Sequence, residues 1–301
     1  MADSPTRAGF VALLGAPNAG KSTLMNQMVG AKVSIVTPKV QTTRSRVRGI
    51  LMDRETQIIF VDTPGIFQPK RRLDRAMVHA AWQGAEDADQ LLLLHDVARK
   101  QLDAETQAIA EKLAVRGQPA ALVLNKIDLA PPERLLERAA ELSKLAEFER
   151  VFMISASAGH GVADLQAWLA KKMPVGPHLF DPEALSDLPE RMLAAEIMRE
   201  KLFLNLHQEL PYQLTVETEK WTEREDGSAE IRVSVFVARE GHRGIILGKG
   251  GQTLRRIGQS ARLELEELLG RRVHLISHVK LRKDWMNDPA RYSSWDLDFN
   301  A

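Results

Sequence analysis

The sequence predicts an α/β fold built on a mostly parallel sheet, followed by a small α+β domain. Two observations carry that expectation. From residue 9 to about 172, short apolar runs alternate with stretches of helical periodicity, the pattern of repeated βα units. After residues 173–189, rich in Pro, Gly, Asp and Ser and without periodicity, the order becomes helix, two strands, helix and strand. A chain of 301 residues has room for two domains, each of roughly 150 residues and large enough for its own core.

Expected strands in the first part are 9–15, 45–52, 56–61, 89–95, 119–125 and 151–155, each a short apolar run. Helices are expected from about Lys21, then over about 72–85, 103–116, 132–147 and 161–172, several opened by acidic residues or proline suited to a first turn. The second part reads as a helix over 190–209, strands at 212–221 and 229–238 joined by "REDGS", a short apolar helix signal "RGIIL", a helix over 252–269 and a strand at 272–281. These elements divide the chain into 1–175, a linker 176–189, and 190–301 with a C-terminal tail.

Composition narrows the function classes. The formal net charge is only +1, so any basic surface must be local. No cysteine occurs, which excludes disulfides and thiolate chemistry and suits a reducing cytoplasm. The longest aliphatic run, "LLLL" at 91–94, lies between Asp89 and Asp96, and the N-terminal stretch lacks a long apolar core. No transmembrane segment or leader is expected.

"GAPNAGKS" at 15–22 has the spacing GxxxxGKS, follows an expected strand and opens an expected helix. Gly15 and Gly20 let the backbone wrap phosphate with its N–H groups inward, Lys21 reaches the β- and γ-phosphates, and Ser22 offers its hydroxyl to magnesium. Thr23 continues the loop as a nucleotide contact. The ligand implied is a nucleoside triphosphate with Mg2+.

The base is read from "NKID" at 125–128 and "SAS" at 155–157, each closing an expected strand. Asp128 can accept both guanine N–H groups as a pair, Asn125 can tie neighbouring loops together, and the stem of Lys126 can lie over the base. Adenine presents no such pair of donors, so GTP and GDP are the expected ligands, with Ser155 and Ala156 beside the base. In "DTPG" at 62–65, Asp62 can hold magnesium through water while the Gly65 N–H senses the γ-phosphate. "QTTR" at 41–44 supplies a hydroxyl to the metal, from Thr42 or Thr43. Ser22, Thr43 and Asp62 are the metal candidates, and Lys21, Thr43, Asp62 and Gly65 the catalytic ones, with Thr42 the open alternative to Thr43. Loss of γ-phosphate would release both segments.

"ILGKGGQTL" at 246–254 is not a second phosphate loop, since Gly250 rather than Ser or Thr follows Lys249. A GxxG turn between two helices resembles the KH clamp, which lets a single-stranded RNA backbone pass close. Gly248, Lys249, Gly250 and Gly251 form the turn, with Arg243, Arg255 and Arg256 beside it. Further on, Arg262, Arg271, Arg272, Lys280, Arg282 and Lys283 add to a basic surface, against Glu264, Glu266 and Glu267.

Together the phosphate loop, "QTTR", "DTPG", "NKID", "SAS" and the "ILGKGG" domain resemble the Era family of bacterial GTPases over nearly the whole chain. The resemblance implies a Ras-like P-loop GTPase domain joined to a type II KH domain. It also implies binding to small-subunit (16S-type) ribosomal RNA and the small ribosomal subunit during ribosome assembly. His95, where an aliphatic residue is more usual in the family, reads as a packed or hydrogen-bonded histidine at a strand end. Ile66 follows "DTPG" where many signalling GTPases place a water-orienting glutamine, so slow intrinsic hydrolysis is expected. Asn18 has two readings, a stabiliser of its loop or a ligand of K+ near the phosphates. Two rival functions stay open: a GTPase regulating a membrane or cell-division process, with peripheral contact at the inner face of the membrane, and a GTPase domain of a tRNA-modifying enzyme. No second catalytic constellation after residue 180 supports the latter.

Overall fold

The apolar alternation of the first part becomes six strands in the computed structural model, which describes residues 5–301; residues 1–4 of the expected first domain lie outside it. The strands are β1 (Arg7–Gly15), β2 (Val47–Asp53), β3 (Thr56–Asp62), β4 (Gln90–Asp96), β5 (Ala120–Asn125) and β6 (Arg150–Ile154). They pair in the order β2-β3-β1-β4-β5-β6. Only β2 and β3 run antiparallel, because the turn between them is too short for a crossover. The helices are α1 (Lys21–Val29), α2 (Arg72–Glu86), α3 (Ala104–Arg116), α4 (Pro132–Ser143) and α5 (Val162–Lys172).

Successive side chains of β1 feed two different cores, as a strand covered on both faces requires. Val11 and Leu13 pack with α1 and α5, whereas Ala12 and Leu14 pack with α2, α3 and α4. β3 and β4 are buried along their whole length. Helix α3 is capped by Asp103, whose carboxylate accepts the Thr106 N–H at 2.8 Å. Helix α4 stops at Ser143, four residues before the expected end.

Two compact units divide the chain. The first holds the residues through Ser34, Thr43–Asp187 and Tyr292–Ala301; the second holds Ile35–Thr42 and Leu188–Arg291. This differs from the sequence reading in three places. Residues 176–187, expected as a linker, run along the β2–β3 edge: the buried Gln57 side chain accepts from the N–H groups of Leu179 (2.8 Å) and Phe180 (3.0 Å), Ile50 N–H donates to the Leu185 carbonyl (2.9 Å), and Arg48 pairs with Asp187 at 2.7 Å. Polar groups of β2 and β3 thereby find partners that their own sheet does not supply. Residues 292–301, expected with the second domain, cluster instead with α2. Residues 35–42, expected in the first domain, belong to the second unit.

The second unit contains α6 (Glu190–Asn205), β7 (Leu214–Glu223), β8 (Ala229–Val237), α7 (Glu240–Leu247), α8 (Gln252–Leu269) and β9 (Val273–Leu281); an unforeseen short helix, α9 (Pro289–Ser294), spans the boundary after Arg291. Helix α6 is four residues shorter than expected. Strands pair as β7-β8-β9, antiparallel then parallel, and the core gathers the apolar faces of α6 and α8 on that sheet. Ile35 joins this core. Val36 N–H donates to Glu200 Oε1 (2.8 Å), Lys39 Nζ to the Leu206 carbonyl (2.8 Å), and the Arg199 guanidinium to the Thr42 carbonyl.

Candidate functional site

The loops after β1, β3, β5 and β6 leave the carboxyl ends of parallel strands, where α/β sheets collect their ligands. The loop after β1 carries "GAPNAGKS" into α1. Gly20, with φ of 97°, takes a left-handed conformation, and a Cβ there would lie 2.2 Å from the Asn125 amide nitrogen. Glycine is therefore required both by backbone and by space. Lys21 Nζ donates to the Gly15 (3.0 Å) and Ala16 (3.2 Å) carbonyls. Burial lowers its pKa to about 8, the charge of Asp62 acting the other way.

Asp62, at the end of β3, gathers hydroxyls from three segments. Its Oδ2 accepts from Ser22 (2.6 Å), Ser34 (3.0 Å) and Thr43 (3.1 Å), and Ser22 Oγ lies 3.1 Å from Thr43 Oγ1. Burial pushes the Asp62 carboxyl above its usual range, against the Lys21 charge and these hydroxyls. Oδ1 is buried without a hydrogen-bond partner among the described residues. An unpaired carboxylate oxygen beside three hydroxyls fits a hard divalent cation that prefers oxygen ligands. Thr43, not its neighbour, faces this corner. The Thr42 hydroxyl turns the other way, 2.7 Å from Thr37 Oγ1 and 2.7 Å from the Lys39 carbonyl. Ser34 was not foreseen, since nothing in "AKVSIVT" marks a ligand.

"DTPG" folds onto the phosphate loop. Thr63 Oγ1 donates to the Leu13 carbonyl (2.7 Å), and Ile66 N–H to the Gly15 carbonyl (3.2 Å). Gly65 lies against Pro17, which a Cβ would meet at 3.0 Å. The Ile66 side chain is buried in the core under α2, so it contributes no polar group to the site. Asn18 holds a positive φ of 66°, and Arg99 donates to the neighbouring Pro17 carbonyl at 2.9 Å. Thr23 lies half-buried in the first turn of α1.

Asn125 joins three motifs. Its amide nitrogen donates to the Ala19 carbonyl (2.9 Å), and its oxygen accepts from the N–H groups of Lys126 (2.9 Å) and Ala156 (3.0 Å). Lys126, with φ of 67°, sends its Nζ 2.6 Å to Asp96, a partner the sequence reading missed although it ends the strand beside β5. Asp128 is exposed. Ser155 N–H donates to the His160 carbonyl at 3.0 Å and shapes the last loop. His95 is fully buried, its Nδ1 3.4 Å from Thr106 Oγ1 and 3.5 Å from Asp103. It packs behind the site rather than in it.

In the second unit, the turn Gly248–Gly251 separates α7 from α8. Gly248 (φ 69°, ψ −178°) takes a conformation open only to glycine, and a Cβ would lie 2.1 Å from Thr253 Oγ1. A cavity of about 490 Å³ opens beside the turn, lined by Gly251, Leu254, Arg255, Gly258, Arg262 and Ser277 among others. Gly258 and Ser277 were missed, because the groove is made by a helix and a strand far apart in sequence. Several expected phosphate-binding charges are already paired: Arg243 with Glu240 (3.0 Å), Arg262 with Glu266 (2.7 Å), Arg271 with Glu223 (2.6 Å), Lys280 with Glu219 (2.5 Å) and Arg282 with Asp288 (2.7 Å). Lys249 and Arg255 have no ion pair among the described residues, and Arg256 touches Asn205 at 3.3 Å. Arg272 and Lys283 are exposed and likewise form no ion pair among the described residues, so the unpaired charge left of the expected basic surface lies at the glycine turn and at these two positions.

Sequence comparison decides the family. Residues 10–126 match the family described as 50S ribosome-binding GTPase, and residues 209–286 match the KH domain family. The chain is 55% identical over 299 residues to GTPase Era of Dinoroseobacter shibae, covering 98% of this chain and 97% of that one. The chain belongs to the Era family of GTPases. GTPase Era of Brucella suis is 54% identical over 294 residues, with 98% and 94% covered. Two solved Era structures superpose with a TM-score of 0.90. One is a variant of Aquifex aeolicus Era bound to GDP and AlF4− (37% identity, 96% of this chain and 99% of that one). The other is Era in complex with MgGDPNP and nucleotides 1506–1542 of 16S ribosomal RNA (38% identity, 96% and 98% covered). As in the Era family, this is a GTPase with a KH domain. Among the described residues no helix is long and apolar enough to cross a membrane.

Proposed function

We propose that this chain binds and slowly hydrolyses Mg–GTP to control attachment of its KH unit to small-subunit ribosomal RNA during assembly of that subunit in the cytoplasm. The observation that carries the RNA reading is the strained Gly248 turn with Lys249 and Arg255 beside an open groove. Support for the ligand comes from the Era structure that holds MgGDPNP and 16S RNA. Ser22 and Thr43 would hold Mg2+ directly and Asp62 through water, where the ion neutralises charge on the β- and γ-phosphates. Lys21 would leave its two carbonyl partners for the phosphates, Gly65 N–H would meet the γ-phosphate, and Asp128 would pair with guanine over the platform fixed by Asn125. Ile66 leaves the attacking water without a side-chain acceptor, which makes hydrolysis slow. Asn18, in its left-handed conformation next to the gripped Pro17 carbonyl, would supply an oxygen to K+.

The test is RNA binding by the full chain carrying Lys249→Asp and Gly250→Asp. A Cβ at Gly250 meets nothing within 4 Å, and Asp tolerates a left-handed backbone better than most residues, so the variant should fold. It should lose binding to an RNA spanning nucleotides 1506–1542 of 16S ribosomal RNA while keeping GTP affinity. Parent binding should weaken with salt by a slope of about −0.7 per phosphate neutralised. RNA binding equal to the parent would refute the KH assignment. Sedimentation with anionic vesicles in the same series reads out peripheral membrane contact.

A further inference from the structure

Helix α2 begins seven residues after Gly65 and carries two apolar faces. Ala81, Trp82 and Ala85 pack into the sheet core. Leu73, Ala76, Met77 and Ala80 instead pack with Tyr292 and Leu297 in a separate cluster, joined by Phe67, Trp295 and Phe299. The 292–301 segment is therefore the apolar cover of the first half of α2. It is also built to stay there. Leu297 N–H donates back to the Tyr292 carbonyl at 2.9 Å, closing a turn through Asp296. Tyr292 and Phe299 meet edge to face, centroids 4.9 Å apart, and the Arg72 guanidinium lies 4.4 Å over the Phe299 ring. Farther along, Arg75 Nε reaches the Ala301 carbonyl at 3.4 Å.

Phe67 makes this packing relevant to chemistry. It is two residues from Gly65 and follows Ile66, whose N–H is bonded to the phosphate loop. Between Phe67 and α2, the N–H groups of Lys70 and Arg71 are held by the Asp74 carboxylate at 3.0 and 2.9 Å. The γ-phosphate-sensing loop is thus fixed at one end by Gly15 and at the other by an aromatic cluster that residues 292–301 complete. We infer that Tyr292, Leu297 and Phe299 are positioning residues for GTP hydrolysis, which act through Phe67 and the start of α2 to hold the Gly65 loop in place.

Displacement of reacting groups by about 1 Å can lower a rate by up to ~10²-fold, whereas on the function proposed above, on which this inference rests, guanine and the β-phosphate would be held elsewhere, by Asp128, Asn125 and Lys21. The effect therefore falls on turnover and spares binding. Two full-length variants, Leu297→Asp and Tyr292→Ala, and a chain ending at Arg291 are compared with the parent in single-turnover GTP hydrolysis, GDP affinity and amide hydrogen exchange over residues 66–80. The expected result in all three is faster exchange over that segment and hydrolysis slowed about tenfold, with GDP affinity within twofold of the parent. Leu297→Met should restore the parental rate, because it keeps the apolar contact. Parental hydrolysis in the chain ending at Arg291, or a fall in GDP affinity as large as the fall in rate, overturns the proposal. None of these readouts involves RNA, so the outcome is independent of the KH assignment.

Discussion

Asn125→Ala tests how the proposed guanine site is assembled. The side chain is 1% exposed and makes one donated and two accepted hydrogen bonds, to Ala19, Lys126 and Ala156. Those three partners stand on the loops after β1, β5 and β6. Truncation leaves the Ala19 carbonyl and two N–H groups without their partner in a region closed to water. At about 1 kcal/mol net for each bond, the loss is about 3 kcal/mol, or roughly two decades in an equilibrium constant. The loss divides between two measurable quantities. Loops that stay in place lower the unfolding free energy, and loops that spread must be reordered by nucleotide and so lower its affinity. Urea unfolding of the nucleotide-free chain and titration with a fluorescent GDP analogue measure the two. Their sum should reach about 2–3 kcal/mol. A sum below about 0.5 kcal/mol, the size of an ordinary surface substitution, would refute the view that Asn125 joins these loops. Asn125→Asp keeps both accepted bonds but sets a carboxylate against the Ala19 carbonyl, so it should bind nucleotide no better than the alanine variant.

The remaining predictions concern separate parts of the same unit. Asp128→Asn turns one acceptor for guanine into a donor and should shift preference from GTP towards xanthosine triphosphate by at least tenfold, roughly one charged hydrogen bond, in a competition assay; undiminished GTP preference would remove Asp128 from the site. Asp103→Ala should destabilise the chain by ~1–2 kcal/mol at neutral pH through loss of the α3 cap. Burial pushes the Asp103 carboxyl up, but hydrogen bonds from His95 and Thr106 and the Arg99 charge outweigh it and hold it well below the usual carboxylate range. Its contribution is accordingly complete above the unfolded-state value near 4 and fades as pH falls through the folded value, so parent and variant should converge in acid; a pH-independent difference would contradict this. K+ in place of Na+ at fixed ionic strength should accelerate hydrolysis, and Asn18→Ala should abolish the difference; equal rates of the parent in both salts would exclude a K+ role.

Features set by contiguous residues are legible in the chain alone. A phosphate loop is eight neighbouring residues at the end of a strand, and the period of two or 3.6 that locates strands and helices arises within each element, so the βα alternation, the "GAPNAGKS", "DTPG" and "NKID" loops and the "GKGG" turn were all legible. Ser22, Asp62 and Asn125 could be named because each stands at a fixed offset from a strand end. Tertiary structure decided the rest, and always where the answer depended on a partner remote in sequence. Thr42 and Thr43 are adjacent and chemically equal; only the fold shows that successive side chains point apart, Thr43 to Asp62 and Thr42 to Thr37. Ser34 reaches the same carboxylate from an unmarked stretch. The polar residues 176–187 looked like a linker because their partners, Gln57, Ile50 and Arg48, lie more than a hundred positions away. Charge on Arg271 and Lys280 counted towards an RNA surface until the fold set Glu223 and Glu219 against them. The short run "RYSSWDLDFN" has no periodicity to announce its place, since its order comes from the apolar face of α2 beneath it.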